Sequence, residues 1–135
     1  MRQAVDFEED HSSERYQEFL LWFMRTLGLV FLVAGLVYWK PLVGLVDSPD
    51  RAFLALSRPD QVTVLIFAVL MPVTAIGLWF GASWGVGLIA ISLIVRLAMA
   101  FGFPQFFEPD WVVLGGHVTI IVVYIVLRFM IYRHR

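Results

Sequence analysis

Arg96 and His117 are the residues whose types and positions best suit chemistry in this sequence, because each interrupts a long apolar run. Arg96 lies between Trp84 and Phe103, and His117 follows Trp111. A guanidinium binds anions, and an imidazole accepts or relays protons. A charged arginine near mid-membrane costs about 2.5–3.5 kcal/mol on insertion scales, so it calls for a partner or a water-filled cavity. Arg96 is about seven residues short of Phe103, and His117 about six past Trp111. At 1.5 Å per residue both lie roughly 10 Å below the same surface. The candidate partners for Arg96 are Glu108 and Asp110 in the segment between the two runs, His117 itself, and the carbonyl of Ala68 that Pro72 frees. One reading is a buried polar site that binds an anionic ligand or relays protons. The other is a structural ion pair, or an outward-reaching arginine, that fixes the connector against the helices.

A second cationic group consists of Arg25, Arg128, Arg133 and Arg135. It forms a candidate collar for anionic lipid headgroups. The plainer reading is snorkelling along aliphatic stems together with control of topology.

Much other chemistry is disfavoured. There is no cysteine, which removes disulfides, thiolate metal sites and the paired thiols of a thiol–quinone oxidoreductase. The carboxylates all fall outside the apolar runs, where a proton-coupled cation exporter needs one within. His11, His117 and His134 lie in three separate regions and suggest neither a metal triad nor a haem pair. Neither a phosphate-binding glycine loop nor a serine nucleophile motif is present. No cofactor is implied. A net charge of -1 gives no case for nucleic acid.

The elements that must position these residues follow from composition. The chain has 135 residues, 60% hydrophobic and 16% charged, against roughly 45–50% and about 25% in soluble domains. The excess is concentrated in runs long enough to cross a hydrocarbon core of about 30 Å. The fold class is therefore an all-α membrane protein, a four-transmembrane-helix bundle with spans at about 19–39, 62–80, 84–103 and 111–132. Residues 1–18 read as a solvated, partly disordered acidic arm, not a cleavable signal, and residues 19–135 as the membrane domain. Ser12 or Ser13 is placed to cap a helix beginning near Glu14.

Between the spans, Ser48-Pro49 suggests a helix cap and first turn, and residues 52–56 a short interfacial helix. Pro59 is placed to start the second span. Pro72 falls in the middle of that span, so the Ala68 carbonyl needs a donor from a neighbouring helix or water. The uncharged segment 81–85 turns the chain tightly back. The connector 101–111 carries five aromatic rings with Glu108 and Asp110, suited to the headgroup region or to a partner protein. Ala98 with Gly102, Gly81 with Gly85, and the pair Gly115-Gly116 offer close helix approach.

Four spans put both termini on one side, and the arginine bias makes that side cytoplasmic. The order of Tyr38-Trp39, Pro72, Gly77-Leu78-Trp79, Ser83-Trp84-Gly85, Phe103-Pro104 with Phe106, then His117, Tyr124 and Arg128, resembles an uncharacterised family of small four-span inner-membrane proteins of alphaproteobacteria. The resemblance spans roughly residues 19–132 and implies a bacterial inner membrane, with no assigned activity. The expected function is that of a non-enzymatic accessory or scaffold protein, acting through helix packing and its aromatic connector on a membrane-protein partner or a second copy. The alternative is a small oligomeric channel or transporter with an anion-friendly site at Arg96 and His117.

Overall fold

The computed structural model describes the backbone of residues 2–133 and the side chains of residues 14–133. It is helical throughout: α1 (Arg2–Val43), α2 (Arg58–Trp79), α3 (Ser83–Gly102) and α4 (Trp111–Arg133). Each contains a stretch long and apolar enough to cross a membrane, that of α1 beginning at Glu14. The three later helices fall within a few residues of the expected spans.

The start of α1 differs from expectation. The backbone is helical from Arg2 rather than from a cap near Glu14, and it continues past Glu18 without a break. Residues 2–18 contain neither glycine nor proline, so nothing in their backbone chemistry stops a helix from propagating through them. The side chains of Ser12 and Ser13 lie outside the described ones. At its other end α1 runs past Trp39 and through Pro41. A proline so near the C-terminus removes only the donor that Val37 would have met.

Two glycines in the left-handed region end α1 and α2. Gly44 has φ 75°, and the Leu45 N–H reaches back to the Lys40 carbonyl at 3.0 Å. Gly81 has φ 66°, with Ala82 N–H on Gly77 O at 2.9 Å and Gly81 N–H on Leu78 O at 3.0 Å. These bonds answer helix-end carbonyls that would otherwise be orphaned, in a conformation an L side chain resists.

In place of the interfacial helix expected at residues 52–56 there is a single 3-10 turn, Phe53–Ala55, preceded by a separate one at Pro49–Arg51. Ala52 and Leu56 are extended (ψ 149° and 153°), which breaks the helical path on both sides of Phe53. Leu54 stands 89% exposed at the tip. In the first turn the Ser48 hydroxyl beside Asp50 holds its carboxyl below the usual range. Ser57 caps α2, accepting from the Asp60 N–H, and Pro59 sits in the first turn. The Gln61 amide donates to Phe53 O and Leu56 O, tying the connector to α2.

The helices alternate in direction. A Cβ on Gly81, in the α2–α3 turn, would lie 2.7 Å from Leu21 Cδ2, so that turn meets the early part of α1. Tyr16 and Phe19 of α1 share a groove with Leu127 and Met130 of α4. Both long connectors therefore occupy the opposite end, here the connector end. The core runs through Leu20, Met24, Phe31, Phe67, Met71 and Leu78, with Ile89 and Ile131 closing it from α3 and α4.

Helix α1 and α2 are joined by glycine at two levels. A Cβ on Gly28 would come within 3.1 Å of Ala75 O, and one on Gly35 within 2.7 Å of the Pro72 ring. One turn beyond Gly35, Trp39 Nε1 donates to Ala68 O at 2.8 Å. That is the carbonyl whose i+4 donor Pro72 removes, and of the two sources open to it, a neighbouring helix or water, the donor comes from the helix.

Two substitutions test this seam. Trp39→Phe keeps a ring but leaves Ala68 O without its donor, an expected loss of about 1–3 kcal/mol in reversible unfolding from mixed micelles. Gly35→Ala forces a methyl against the proline ring and should destabilise by about 1–3 kcal/mol in the same assay. If both variants unfold with wild-type midpoints, the seam does not hold α1 to α2.

Candidate functional site

Arg96 stands six residues before the end of α3 at Gly102, about 9 Å below it along the helix axis. Its guanidinium turns inward. Nη2 donates to Tyr38 Oη at 2.9 Å, and the guanidinium carbon lies 4.1 Å from the Phe67 ring centroid. Tyr38 stacks on the same ring, with centroids 5.4 Å apart and planes at 29°. Three helices thus meet on one cation: α1 through a hydroxyl, α2 through a π face and α3 through the charge. A desolvated cation–π contact contributes up to about 2 kcal/mol.

Neither Tyr38 nor Phe67 was among the partners that sequence reasoning offered. Tyr38, beside Trp39 and Lys40 at a span end, has the composition of an interfacial ring. The signal that finds it is depth. Tyr38 is five residues from the end of α1, about 7.5 Å, which places it beside Arg96 by the rise that matched His117. The freed Ala68 carbonyl, another proposed partner, is taken by Trp39.

The structure does bring Arg96, Glu108 and Asp110 to one pocket. Its cavity measures about 110 Å³ and lies between α2, α3, the connector and the first turn of α4. Phe67, Ala100 and Leu114 form a buried floor, while Glu108 and Asp110 are exposed. Among the described residues no carboxylate pairs with Arg96, and its Nε is enclosed with no hydrogen-bond partner. Asp110 has a separate task. Its Oδ1 accepts from Val112 N–H and Val113 N–H, both at 3.1 Å, and so caps α4. Glu108 makes no hydrogen bond or ion pair with the described residues.

His117 is not part of this pocket. Its Nδ1 lies 2.8 Å from Val113 O in its own helix, and its ring meets Phe31 edge-on with centroids 5.7 Å apart. The carbonyl only accepts, so Nδ1 carries the proton. Nε2 is enclosed and without a partner. Both side chains reach α1, Arg96 at Tyr38 and His117 at Phe31, but they share no partner.

The collar residues lie toward the other end of the bundle. The Arg25 guanidinium sits over Trp22 and Trp79, 5.7 and 5.9 Å from their centroids. Arg128 and Arg133 are exposed on α4, and Arg135 lies outside the described residues. Among the described residues no three His, Asp or Glu side chains gather as a metal-binding group.

With this geometry in place, comparison with known proteins adds one finding. Residues 18–135 match the model of a family of unknown function, DUF6163, and the chain belongs to that family. No curated protein and no solved structure matches it.

The Tyr38–Arg96 bond is checked by a double-mutant cycle. Tyr38→Phe keeps the ring on Phe67 and removes the acceptor, with an expected loss of about 1.5–3 kcal/mol for a hydrogen bond to a charged group. In an Arg96→Met background the same change should cost close to nothing. Equal costs in the two backgrounds would show that the bond contributes no coupling.

Proposed function

We propose that this chain is a non-enzymatic accessory or scaffold protein of a bacterial inner membrane, with cytoplasmic termini, that acts by packing α3 and α4 against a membrane-protein partner or a second copy. The observation that carries this reading is the contrast between two sets of glycines. Gly35, Gly77 and Gly85 each sit where a Cβ would collide with a neighbouring helix, and one on Gly28 would press tightly on Ala75 O. Gly115 and Gly116 of α4 would meet nothing within 4 Å. Glycine in a helix interior costs about 1 kcal/mol relative to alanine. The first set has a reason inside the chain, and the second has none there.

The packing gradient supports the same reading. Within the apolar stretches 44% of residues are buried in α2, but 22% in α3 and 17% in α4. Small residues on a bare transmembrane face let another backbone approach closely. Thr119 one turn on is exposed, with its hydroxyl bound to Gly115 O, so the face presents no uncompensated polar group. The channel alternative has weaker support, because Arg96 and His117 turn their polar atoms to different partners.

The test uses the absence of native cysteine. Thr119→Cys supplies a unique cross-linking handle on this face. Cross-linked dimer, or a reproducible captured partner in mild detergent, is expected from the otherwise native chain. Adding Gly115→Leu with Gly116→Leu should abolish that product while moving unfolding stability by no more than about 0.5 kcal/mol. A strictly monomeric chain with no reproducible partner would overturn the proposal.

A further inference from the structure

The pocket at Arg96 has a charge order that its own residues do not satisfy. A guanidinium has five N–H donors, and among the described residues only Nη2 has an acceptor, Tyr38 Oη. Nε is enclosed and unpartnered, so the donors left to a ligand are those of the two terminal nitrogens that Tyr38 does not use. The cation lies about 9 Å along the axis below the end of α3. The two carboxylates of the pocket, Glu108 and Asp110, belong to the connector beyond that end and are exposed. The electrostatic sequence from depth to surface is therefore positive, then negative.

A simple anion fits half of this. It would meet Arg96 but stand below two carboxylates that repel it. A simple cation fits the other half. A ligand with an anionic group inward and an ammonium outward fits both. The cavity of about 110 Å³ exceeds the roughly 10–15 Å³ of probe-occupied volume that one water needs, so it admits a polar group of several heavy atoms. Phe67, Met99 and Leu114 give it an apolar side.

We infer that this pocket binds a phosphoethanolamine group, with the phosphate on Arg96 and the ammonium between Glu108 and Asp110. The group is that of a membrane lipid headgroup. In such a lipid the phosphate lies nearer the hydrocarbon and the amine nearer water, the same order as the pocket. Guanidinium binds phosphate oxygens through paired N–H donors. A primary ammonium carries three N–H donors for carboxylates, whereas a trimethylated one carries none. The site therefore distinguishes phosphatidylethanolamine from phosphatidylcholine by hydrogen bonds and from phosphatidylglycerol by charge. This inference does not depend on the accessory role, since a monomer can hold the lipid as well as a complex can.

The test is native mass spectrometry of the full chain, delipidated in detergent and titrated in parallel with phosphatidylethanolamine, phosphatidylcholine and phosphatidylglycerol. Phosphatidylethanolamine should be retained about tenfold more tightly than either competitor. Glu108→Gln is the informative variant, because Glu108 is exposed and touches nothing that holds the fold. It should bring the ratio of phosphatidylethanolamine to phosphatidylglycerol close to one without changing thermal stability. Arg96→Lys keeps the charge and loses the planar fork, and should weaken all three lipids together. Excess free O-phosphoethanolamine identifies the source: lipid retained against it assigns the headgroup, and lipid displaced by it assigns a soluble zwitterion of the same chemistry. Equal or tighter binding of phosphatidylglycerol by the native chain would overturn the inference. So would a phosphatidylethanolamine preference that survives Glu108→Gln.

Discussion

A backbone carbonyl in hydrocarbon must find a donor, and Pro72 removes one from the middle of α2. The bond from Trp39 Nε1 to Ala68 O answers that demand, and it constrains several neighbours. Trp39 reaches the carbonyl only if α1 lies close to α2. Close approach requires that no side chain stand between them at Pro72, where Gly35 sits. With Trp39 committed, the preceding residue, Tyr38, is turned onto Phe67. That places its hydroxyl in reach of α3, where Arg96 finds it. One proline thus links to the choice of glycine, tryptophan, tyrosine and arginine on three helices. The energetic logic is that an unanswered polar group costs more in lipid than the net gain from any single contact.

Much of this frame was legible in the sequence, because long apolar runs leave few alternatives in composition or length. The three later helices, the tight turn and the need of Ala68 for a donor from a neighbouring helix or water were all readable. The beginning of α1 was not. Polar residues without glycine or proline are neutral between a solvated arm and a continuing helix, and hydropathy does not separate the two. Residues 52–56 were read as a helix on apolar content alone, whereas short segments between charges close more readily into single 3-10 turns.

The site divides in the same way. Depth could be counted, and Arg96, Glu108 and Asp110 line one pocket. Rotation about the helix axis could not be fixed without the partners, and it is rotation that sends His117 to Val113 and Phe31 instead. Tyr38 was overlooked for a chemical reason. A tyrosine next to a tryptophan and a lysine at a span end has the composition of an interfacial belt. The same hydroxyl that would meet water there serves equally well as an acceptor for a buried cation.

The two ends of the molecule solve the arginine problem differently. At the connector end Arg96 is drawn inside, held by a hydroxyl and a ring, with carboxylates kept at the surface above it. Toward the other end Arg25 lies over Trp22 and Trp79 on an exposed face, and Arg128 and Arg133 remain exposed. Exposed cations near a span end reach headgroups along their own stems and need little from the fold. An enclosed one needs the fold to supply acceptors, and here the described residues supply one, the Tyr38 hydroxyl. That imbalance is difficult to attribute to packing alone, since α3 could carry an apolar residue at position 96 and lose no helix. On the inference drawn above, a guanidinium kept at that depth, beside a cavity and beneath two carboxylates, is half of a recognition site.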